Sequence, residues 1–323
     1  MLPQHHDGHA VRHLSETDRR SLLKGIGAGA WLVAFGDFVA SAASTQAVKL
    51  PGFSAFASTV KVTKSAKYYL IESNGIPAHQ MMVGIKSWQE QIPTPQPYTG
   101  VNSWSLPIKP VLSTSPISNV GNFLRGAIAI AVNGIPIFNA LNNRGDDAFL
   151  AGELDDFGGH CGQADDYHYH TAPLHLQSVV GSRNPVAYAL DGFPIYGVLE
   201  PDGSKVTSLD SYNGHSYKKV GYHYHGTNTY PYINGGFRGV ITQKDGQVEP
   251  QAATHAFRPP QLPLRGATIT SCQNLGNGHF VLTYTLNGET TTIDYIANLS
   301  TVTIQTTVGS NNPTQQVFQR MAR

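Results

Sequence analysis

One arrangement of histidines occurs twice in this chain of 323 residues. The segment 158–170 reads GGHCGQADDYHYH, and the segment 212–225 reads YNGHSYKKVGYHYH. In both, a Gly-His pair precedes a Tyr-His-Tyr-His run, and equivalent histidines recur at one constant offset: His160 and His215, His168 and His223, His170 and His225. A repeat with constant internal spacing predicts a duplicated structural unit.

Two further elements repeat with the histidines. VNGIPIF at 132–138 recurs as LDGFPIY at 190–196, and LDDFGGH at 154–160 recurs as LDSYNGH at 209–215. Each module therefore opens with a Gly-x-Pro hairpin and ends on a histidine cluster. We predict two pseudo-repeats, about 130–175 and 188–239, related by a pseudo-twofold axis within a domain covering 60–249.

The composition favours strands and loops over helices. Only 13% of residues are charged, while 33 Gly, 20 Pro and 15 Tyr are present. The predicted fold is mostly β: a tandem pseudo-repeat of β-hairpin modules with long loops, plus C-terminal strands. The proline-containing segment 250–265 predicts a linker. Alternation around Asn287-Gly288 predicts a hairpin in 266–323, which forms either a small β appendage or strands that complete the main sheet.

The N-terminus has the pattern of an export signal. Arg19-Arg20 precedes an apolar stretch at 25–36 and the small residues 40–42. We interpret 1–42 as a twin-arginine signal peptide, with the twin-arginine translocase as partner and a periplasmic or secreted location. The alternative is an uncleaved anchor, but the stretch is shorter than the roughly 20 residues of a stable membrane span. A net charge of +1 without a basic cluster argues against a nucleic-acid partner.

The repeated histidines have the pattern of metal ligands. Residues i and i+2 of a strand face the same side, so YHYH places two imidazoles on one face and two tyrosines on the other. The preceding Gly-His would add a third imidazole from a loop. Three neutral imidazoles with an open position are typical of catalytic zinc and of several copper and iron sites. We predict a transition metal ion, copper or zinc before iron, held by His160, His168, His170, His215, His223 and His225.

Two arrangements of these six ligands remain open. Each module could hold its own three-histidine site, or the two YHYH strands could lie side by side and share one centre. The shared centre is favoured, because duplicated modules commonly bury their common seam.

Some other residues are weaker candidates. Asp155 and Asp210 recur at equivalent positions, either as acceptors for the Nδ1–H groups of the ligands or as turn-forming residues. Asp165-Asp166 could supply a carboxylate base or ligand, but it has no counterpart in the second module, which favours a solvated turn. The histidines outside the repeat are weaker metal ligands: His175, then His79 and His255.

The chain has two cysteines, Cys161 and Cys272. In an oxidising compartment a disulfide between them is the expected state. The alternative is that Cys161, next to His160, is a thiolate metal ligand.

The motifs GGH…YHYH, YALDGFPIYG, NGH…GYHYH and YPYINGGFRG together resemble the YHYH-domain family of exported bacterial proteins, over about 119–239. This resemblance implies export and a histidine-rich site, and it implies no particular substrate. Members of the family often have proline where this chain has Cys161, so a role for that thiol would be particular to this protein.

The function expected from the sequence is that of an exported metal-binding protein, either a redox or hydrolytic metalloenzyme. The alternatives are a non-catalytic copper- or zinc-binding protein and a metal-stabilised interaction module. No Gly-x-Ser-x-Gly or phosphate-binding loop is present. No recurrent glutamate accompanies the histidines, which weakens the hydrolytic alternative. The sequence leaves open whether the protein is an enzyme.

Overall fold

The computed structural model describes residues 48–321, so the expected signal peptide at 1–42 lies outside the described residues. The described part is mostly β, as predicted. Its strands are β1 (Lys61–Lys64), β2 (Tyr68–Glu72), β3 (Trp104–Pro107), β4 (Leu112–Ser118), β5 (Ala127–Ala131), β6 (Pro136–Phe138), β7 (Gly159–Cys161), β8 (Tyr167–Tyr169), β9 (Ala187–Ala189), β10 (Pro194–Tyr196), β11 (Gly214–Tyr217), β12 (Gly221–His225), β13 (Gly236–Gly239), β14 (Thr242–Lys244), β15 (Gln247–Glu249), β16 (Thr268–Gly276), β17 (His279–Leu286), β18 (Glu289–Ala297), β19 (Thr301–Val308) and β20 (Thr314–Gln319).

The helices among residues 48–321 are short. One α-helical turn, α1, covers Gln177–Val180. The 3₁₀ turns are Phe53–Phe56, Gly100–Asn102, Leu174–Leu176 and Lys218–Val220. Between residues 48 and 321 no helix is long and apolar enough to cross a membrane.

An eight-stranded sheet carries the duplicated modules, in the order β11-β12-β10-β9-β5-β6-β8-β7. The first four strands repeat the last four in mirror order. At the centre, β5 and β9 run antiparallel, and Ile130 of the first module pairs with Tyr188, the residue at the equivalent position of the second module. A residue can pair with its own repeat only on a local twofold axis, so the structure confirms the predicted pseudo-symmetry.

Each module begins with the predicted hairpin. β5 pairs with β6, and β9 pairs with β10, both antiparallel. Gly134 and Gly192 occupy the turns with φ of 80° and 92°, a conformation that glycine adopts without a steric penalty. The fourth strand of each module along the chain returns to the hairpin and pairs with its second strand in parallel, β8 with β6 and β12 with β10. This crossover takes the YHYH runs away from the axis, towards the two edges of the sheet.

The core lies around the centre of this sheet. All five residues of β5 are buried, so both faces of the strand are covered. A three-stranded sheet, β1-β2-β3, contributes Ile71, Trp104 and Leu106 to the same core. The pairs β4/β13 and β14/β15 form two small additional sheets.

The C-terminal strands β16 to β20 form an antiparallel sheet of their own, with consecutive strands adjacent. The predicted hairpin at Asn287-Gly288 joins β17 and β18, and both residues have positive φ. These strands therefore do not extend the eight-stranded sheet. The segment 250–265 forms no regular element, yet Ala252, Ala253 and Phe257 in it are buried. The described residues, 48–321, belong to one compact unit.

Candidate metal centres

Each histidine triad is built on a pair of antiparallel strands. In the first module β7 pairs with β8, and His160 lies directly opposite His168. In the second module β11 pairs with β12, and His215 lies opposite His223. The third imidazole of each triad, His170 or His225, is two residues further along, on the same face. His160 and His215 thus come from strands, and the prediction that they come from loops was wrong.

The first centre consists of three converging ring nitrogens. His170 Nε2 lies 3.0 Å from His160 Nε2 and 3.2 Å from His168 Nε2. Two nitrogens bound to one tetrahedral zinc ion at ~2.05 Å would be about 3.3 Å apart. These side chains form one of two groups whose ligand atoms all lie within 4.8 Å of one another. The spacing of the first triad therefore suits a single metal ion.

Backbone carbonyls fix the tautomer of these imidazoles. His168 Nδ1 lies 3.0 Å from the carbonyl oxygen of Asp166, and His170 Nδ1 donates to the carbonyl oxygen of Asn139 at 2.5 Å. In the second centre, His215, His223 and His225 each place Nδ1 against a backbone carbonyl at 2.8–3.1 Å. A proton on Nδ1 leaves Nε2 as a lone-pair donor, so each of these five imidazoles points a lone pair at its centre.

The second centre has a fourth member, Glu200. Its carboxylate oxygens lie 2.9 Å from His215 Nε2, 3.2 Å from His223 Nε2 and 3.7 Å from His225 Nε2. The carboxylate is fully buried. Sequence reasoning missed this residue. The missed signal was the offset between the two hairpin motifs, which aligns Glu200 with Asn142. The structure supports this alignment, because the residue before each forms an equivalent β-bridge: Leu199 with Lys205, and Leu141 with Asp147.

The electrostatic surroundings favour the neutral form of three of these imidazoles, those of His160, His170 and His225. Burial, and then the neighbouring imidazoles His168 and His170, hold the pKa of His160 well below its ordinary value. Burial is also the largest cause for His170, whose pKa falls to about 3, and for His225, whose pKa falls to about 4. Neutral imidazole is the form that coordinates a metal ion.

The first centre opens into a cleft of about 550 Å³. All three of its histidines line this cleft, together with the carboxylates of Glu153 and Asp166. Most of the remaining polar wall is made of side-chain amides, including Gln91, Asn142, Asn143, Gln163, Gln247 and Gln251. A small polar molecule can therefore approach the first triad.

The tyrosines of both YHYH runs occupy the opposite face, as predicted. Tyr167 donates to Asp155 at 2.8 Å, and Tyr222 donates to Asp210 at 2.9 Å. Asp155 also accepts from the N–H groups of Phe157 and Gly159. The two aspartates thus bind tyrosines and turn backbone and do not contact the imidazoles, so their proposed role as acceptors for ligand Nδ1–H groups was wrong.

Other candidates lie outside the centres. Asp165 and Asp166 are buried, and the predicted solvated turn was wrong, because Arg258 pairs with Asp165 at 2.7 Å. His79 Nε2 contacts Tyr169 Oη at 2.7 Å on the tyrosine face, and the His175 ring packs edge-on against His79. His255 contributes a backbone N–H to Gln96. The structure joins none of these three histidines to a triad.

Both cysteines are buried free thiols, so the predicted disulfide is absent from the structure. Burial raises the pKa of Cys161 well above its ordinary value and that of Cys272 to about 12. Both groups therefore stay neutral and pack as apolar side chains. Cys161 is not a member of either metal-binding group, which also argues against the thiolate ligand.

The two centres lie at opposite edges of the eight-stranded sheet. Between β8 and β12 stand β6, β5, β9 and β10, five inter-strand steps that amount to about 24 Å. The favoured shared centre was therefore wrong. The parallel crossovers place the YHYH strands on the far side of each hairpin from the twofold axis.

Comparison with protein families gives one match. Residues 103–208 match the family model described as YHYH protein. This segment is therefore similar to a YHYH domain, which supports the resemblance seen in the sequence. The matched part contains the first triad and Glu200, and it ends before His215. Neither the curated proteins nor the solved structures gave a match.

Proposed function

We propose that this chain is an exported metal-binding protein whose first triad holds a transition metal ion at the wall of the cleft. The observation that carries the proposal is the convergence of three Nε2 atoms at an accessible cavity, with the Nδ1 atoms of His168 and His170 each against a backbone carbonyl. The ligand set is His160, His168 and His170. Copper and zinc suit three imidazoles best, and iron is the third choice.

An open coordination position distinguishes this triad as a reactive centre. Asn142 stands where the second module has Glu200, and its amide donates to the Glu153 carboxylate at 3.2 Å and 3.3 Å. Glu153 is also paired with Arg144. Asn142 Oδ1 accepts from the backbone N–H groups of Arg144 and Asp146, and Glu153 is not a member of the metal-binding group. Three protein ligands with a free position are the arrangement of catalytic sites, whereas closed sites are structural.

The chemistry proposed is metal-dependent conversion of a small polar substrate in the cleft. Zinc would supply a Lewis acid for hydrolysis, and copper or iron would support oxidation. The amide-rich wall would bind hydroxyl, amide or carboxyl groups of the substrate through hydrogen bonds. Asp166 Oδ2 lies 3.5 Å from His168 Nδ1 and helps to orient that imidazole.

A non-catalytic role is the second candidate. The enclosed group of Glu200 with the second triad favours it, since that geometry suits a metal ion that only stabilises the fold. In that case the first triad would bind copper or zinc for storage, or stabilise an interaction module.

Export is proposed from the sequence alone. The substitution Arg19→Lys with Arg20→Lys should retain the protein in the cytoplasm, because twin-arginine recognition requires the arginine pair. Cell fractionation measures this. Export that is unchanged in the double variant would contradict the twin-arginine proposal.

The first test is elemental analysis of the exported protein and of two variants. One variant carries His168→Ala and His170→Ala, and its matched control carries His223→Ala and His225→Ala. We expect the first variant to lose the metal ion of the cleft and the control to keep it. Circular dichroism checks that both variants fold. Wild-type protein that neither carries nor takes up copper, zinc or iron with micromolar affinity would sink the proposal.

A second test separates a reactive centre from a storage site. The protein is loaded with Co²⁺, and its visible spectrum is recorded while azide is added. An open position lets azide bind and shift the absorption bands of the first centre. A spectrum that azide leaves unchanged would mean a saturated centre and would favour the non-catalytic candidate.

A further inference from the structure

We infer that Glu200, His215, His223 and His225 form a second, closed metal site that holds a divalent ion of the zinc type and stabilises the second module. This site is separate from the proposed reactive centre and uses a ligand that the first module lacks. Its evidence lies in the contacts of Glu200 and in the charge balance around it.

Two buried atoms of this cluster have no hydrogen-bond partner. They are Glu200 Oε1 and His215 Nε2, which lie 2.9 Å apart. Each carries a lone pair, because His215 Nδ1 faces the carbonyl oxygen of Ser208 at 3.1 Å. Two acceptors at this distance repel unless a cation lies between them. An ion bound to both would remove the repulsion and satisfy both atoms.

The charge of Glu200 also requires a cation. The side chains of Glu200 and His223 are fully buried, and that of His225 is 1% exposed. A buried carboxylate without a compensating charge is strongly unfavourable, because it has lost its hydration. The side-chain partners of this carboxylate are the three imidazoles. Compensation therefore comes either from a metal ion or from a proton shared with an imidazole.

The geometry favours the metal ion. His223 Nε2 lies 3.0 Å from His225 Nε2 and 3.2 Å from Glu200 Oε2. One proton could form a hydrogen bond in only one of these two contacts, whereas one metal ion could bind all three atoms. Four protein ligands with mixed nitrogen and oxygen donors match a tetrahedral zinc site. A closed shell inside the protein leaves no position for a substrate, which assigns the site to stability.

The test uses zinc alone, with competition against a chromophoric chelator. We expect wild-type protein to bind two zinc ions and the variant His168→Ala/His170→Ala to keep one tightly. Glu200→Gln should weaken zinc binding at the second site by at least about 100-fold, because the compensating negative charge is lost. Glu289→Gln, an exposed position, is the matched control and should bind two ions as wild-type protein does.

Stability supplies the second readout. In His168→Ala/His170→Ala, a chelator should lower the melting temperature, since only the second site remains. This measurement keeps the inference testable if Glu200→Gln does not fold. The inference is overturned if His168→Ala/His170→Ala binds no zinc at micromolar concentration, or if Glu200→Gln binds both ions as tightly as wild-type protein. If wild-type protein binds a single zinc ion and His168→Ala/His170→Ala keeps it, the proposed function fails while this site stands.

Discussion

At the residue scale, the two modules differ in charge at equivalent positions. Asn133 donates to Tyr169 at 3.0 Å, whereas its equivalent in the second module, Asp191, accepts from Tyr224 at 2.6 Å. Asn142 and Glu200 differ in the same sense. The second module therefore has buried carboxylates at two positions where the first module has amides. The histidines were predictable because their types and spacing recur. Glu200 was harder to predict, because the equivalent residue of the first module is Asn142 and only the offset of the hairpin motifs aligns the two.

The buried Asp191 should make stability depend on pH. Burial raises its pKa to about 6, against hydrogen bonds from Tyr224, Phe193 and Gly239 that lower it. A raised carboxyl pKa means that the folded state binds more protons, so its contribution is favourable below pH 4 and is lost as the pH rises to 6. Over that window, wild-type protein should lose up to about 3 kcal/mol relative to Asp191→Asn.

Urea denaturation at several pH values, with chelator present throughout, measures this difference. Asp191→Asn copies the amide of the first module and removes the titration. Asn133→Asp is the matched control and should introduce a similar pH dependence on the other side of the axis. Parallel stability curves for wild-type protein and Asp191→Asn between pH 4 and 6 would contradict the prediction.

Asp155 and Asp210 occupy equivalent positions, so comparing them tests how burial changes the contribution of the same hydrogen bonds to stability. Asp155 is buried and accepts from Tyr167 and three backbone N–H groups, those of Met82, Phe157 and Gly159. Its replacement by alanine leaves these donors without a partner and should cost roughly 3 kcal/mol. Asp210 is exposed, so Asp210→Ala should cost about 1 kcal/mol, because water replaces the carboxylate. Urea denaturation measures both, and equal losses would show that burial is not the cause.

At the scale of elements, alternation of side chains in YHYH predicted the two faces of β8 and β12, since a strand has a period of two. The Gly-x-Pro turns likewise predicted the hairpins. The order of strands was not predictable, because it depends on the parallel crossover of β8 and β12, which no local pattern specifies. That crossover is the reason why two centres form and a shared one does not.

The glycine before each first histidine should be required for strand pairing. A Cβ at Gly159 would lie 2.5 Å from Tyr167 Oη and 2.7 Å from the carbonyl oxygen of His168. The carbonyl belongs to the paired strand and cannot rotate away, so Gly159→Ala should push β7 from β8 and displace His160. Zinc affinity of the first centre should fall by at least about tenfold.

Chelator competition measures that affinity, and the mirrored variant is its control. A Cβ at Gly214 would meet Tyr222 Oη and the carbonyl oxygen of His223 in the same way, so Gly214→Ala should weaken only the second site. Loss of both ions in either variant would indicate global unfolding and would contradict a local effect.

At the scale of the whole molecule, the C-terminal strands β16 to β20 and the residue after them, Arg320, contact the loops around the first centre. Tyr295 of β18 donates to the carbonyl oxygen of Pro93 at 2.8 Å. Arg320 donates to the carbonyl oxygen of His255 at 2.6 Å and lies 4.0 Å over the ring of Phe257. The prolines of 250–265 predicted a linker, but the burial of Ala252, Ala253 and Phe257 was not visible in the sequence, because their contacts come from distant residues.

Arg258 should be the strongest single link between these parts. Its guanidinium binds both oxygens of Asp165, at 2.7 Å and 3.0 Å, and only 12% of its side chain and 5% of that of Asp165 are exposed. Asp165 lies in the loop between β7 and β8, the strands of the first triad. Arg258→Ala leaves this carboxylate buried without a counter-charge, so the free energy of unfolding should fall by about 3–5 kcal/mol.

The control is Arg265→Ala, at an exposed site nearby, which should change the free energy of unfolding by less than about 0.5 kcal/mol. Urea denaturation compares the two. If both variants are as stable as wild-type protein, the ion pair contributes nothing to stability, and the attachment of the segment 250–265 to the loop of the first centre rests on its other contacts.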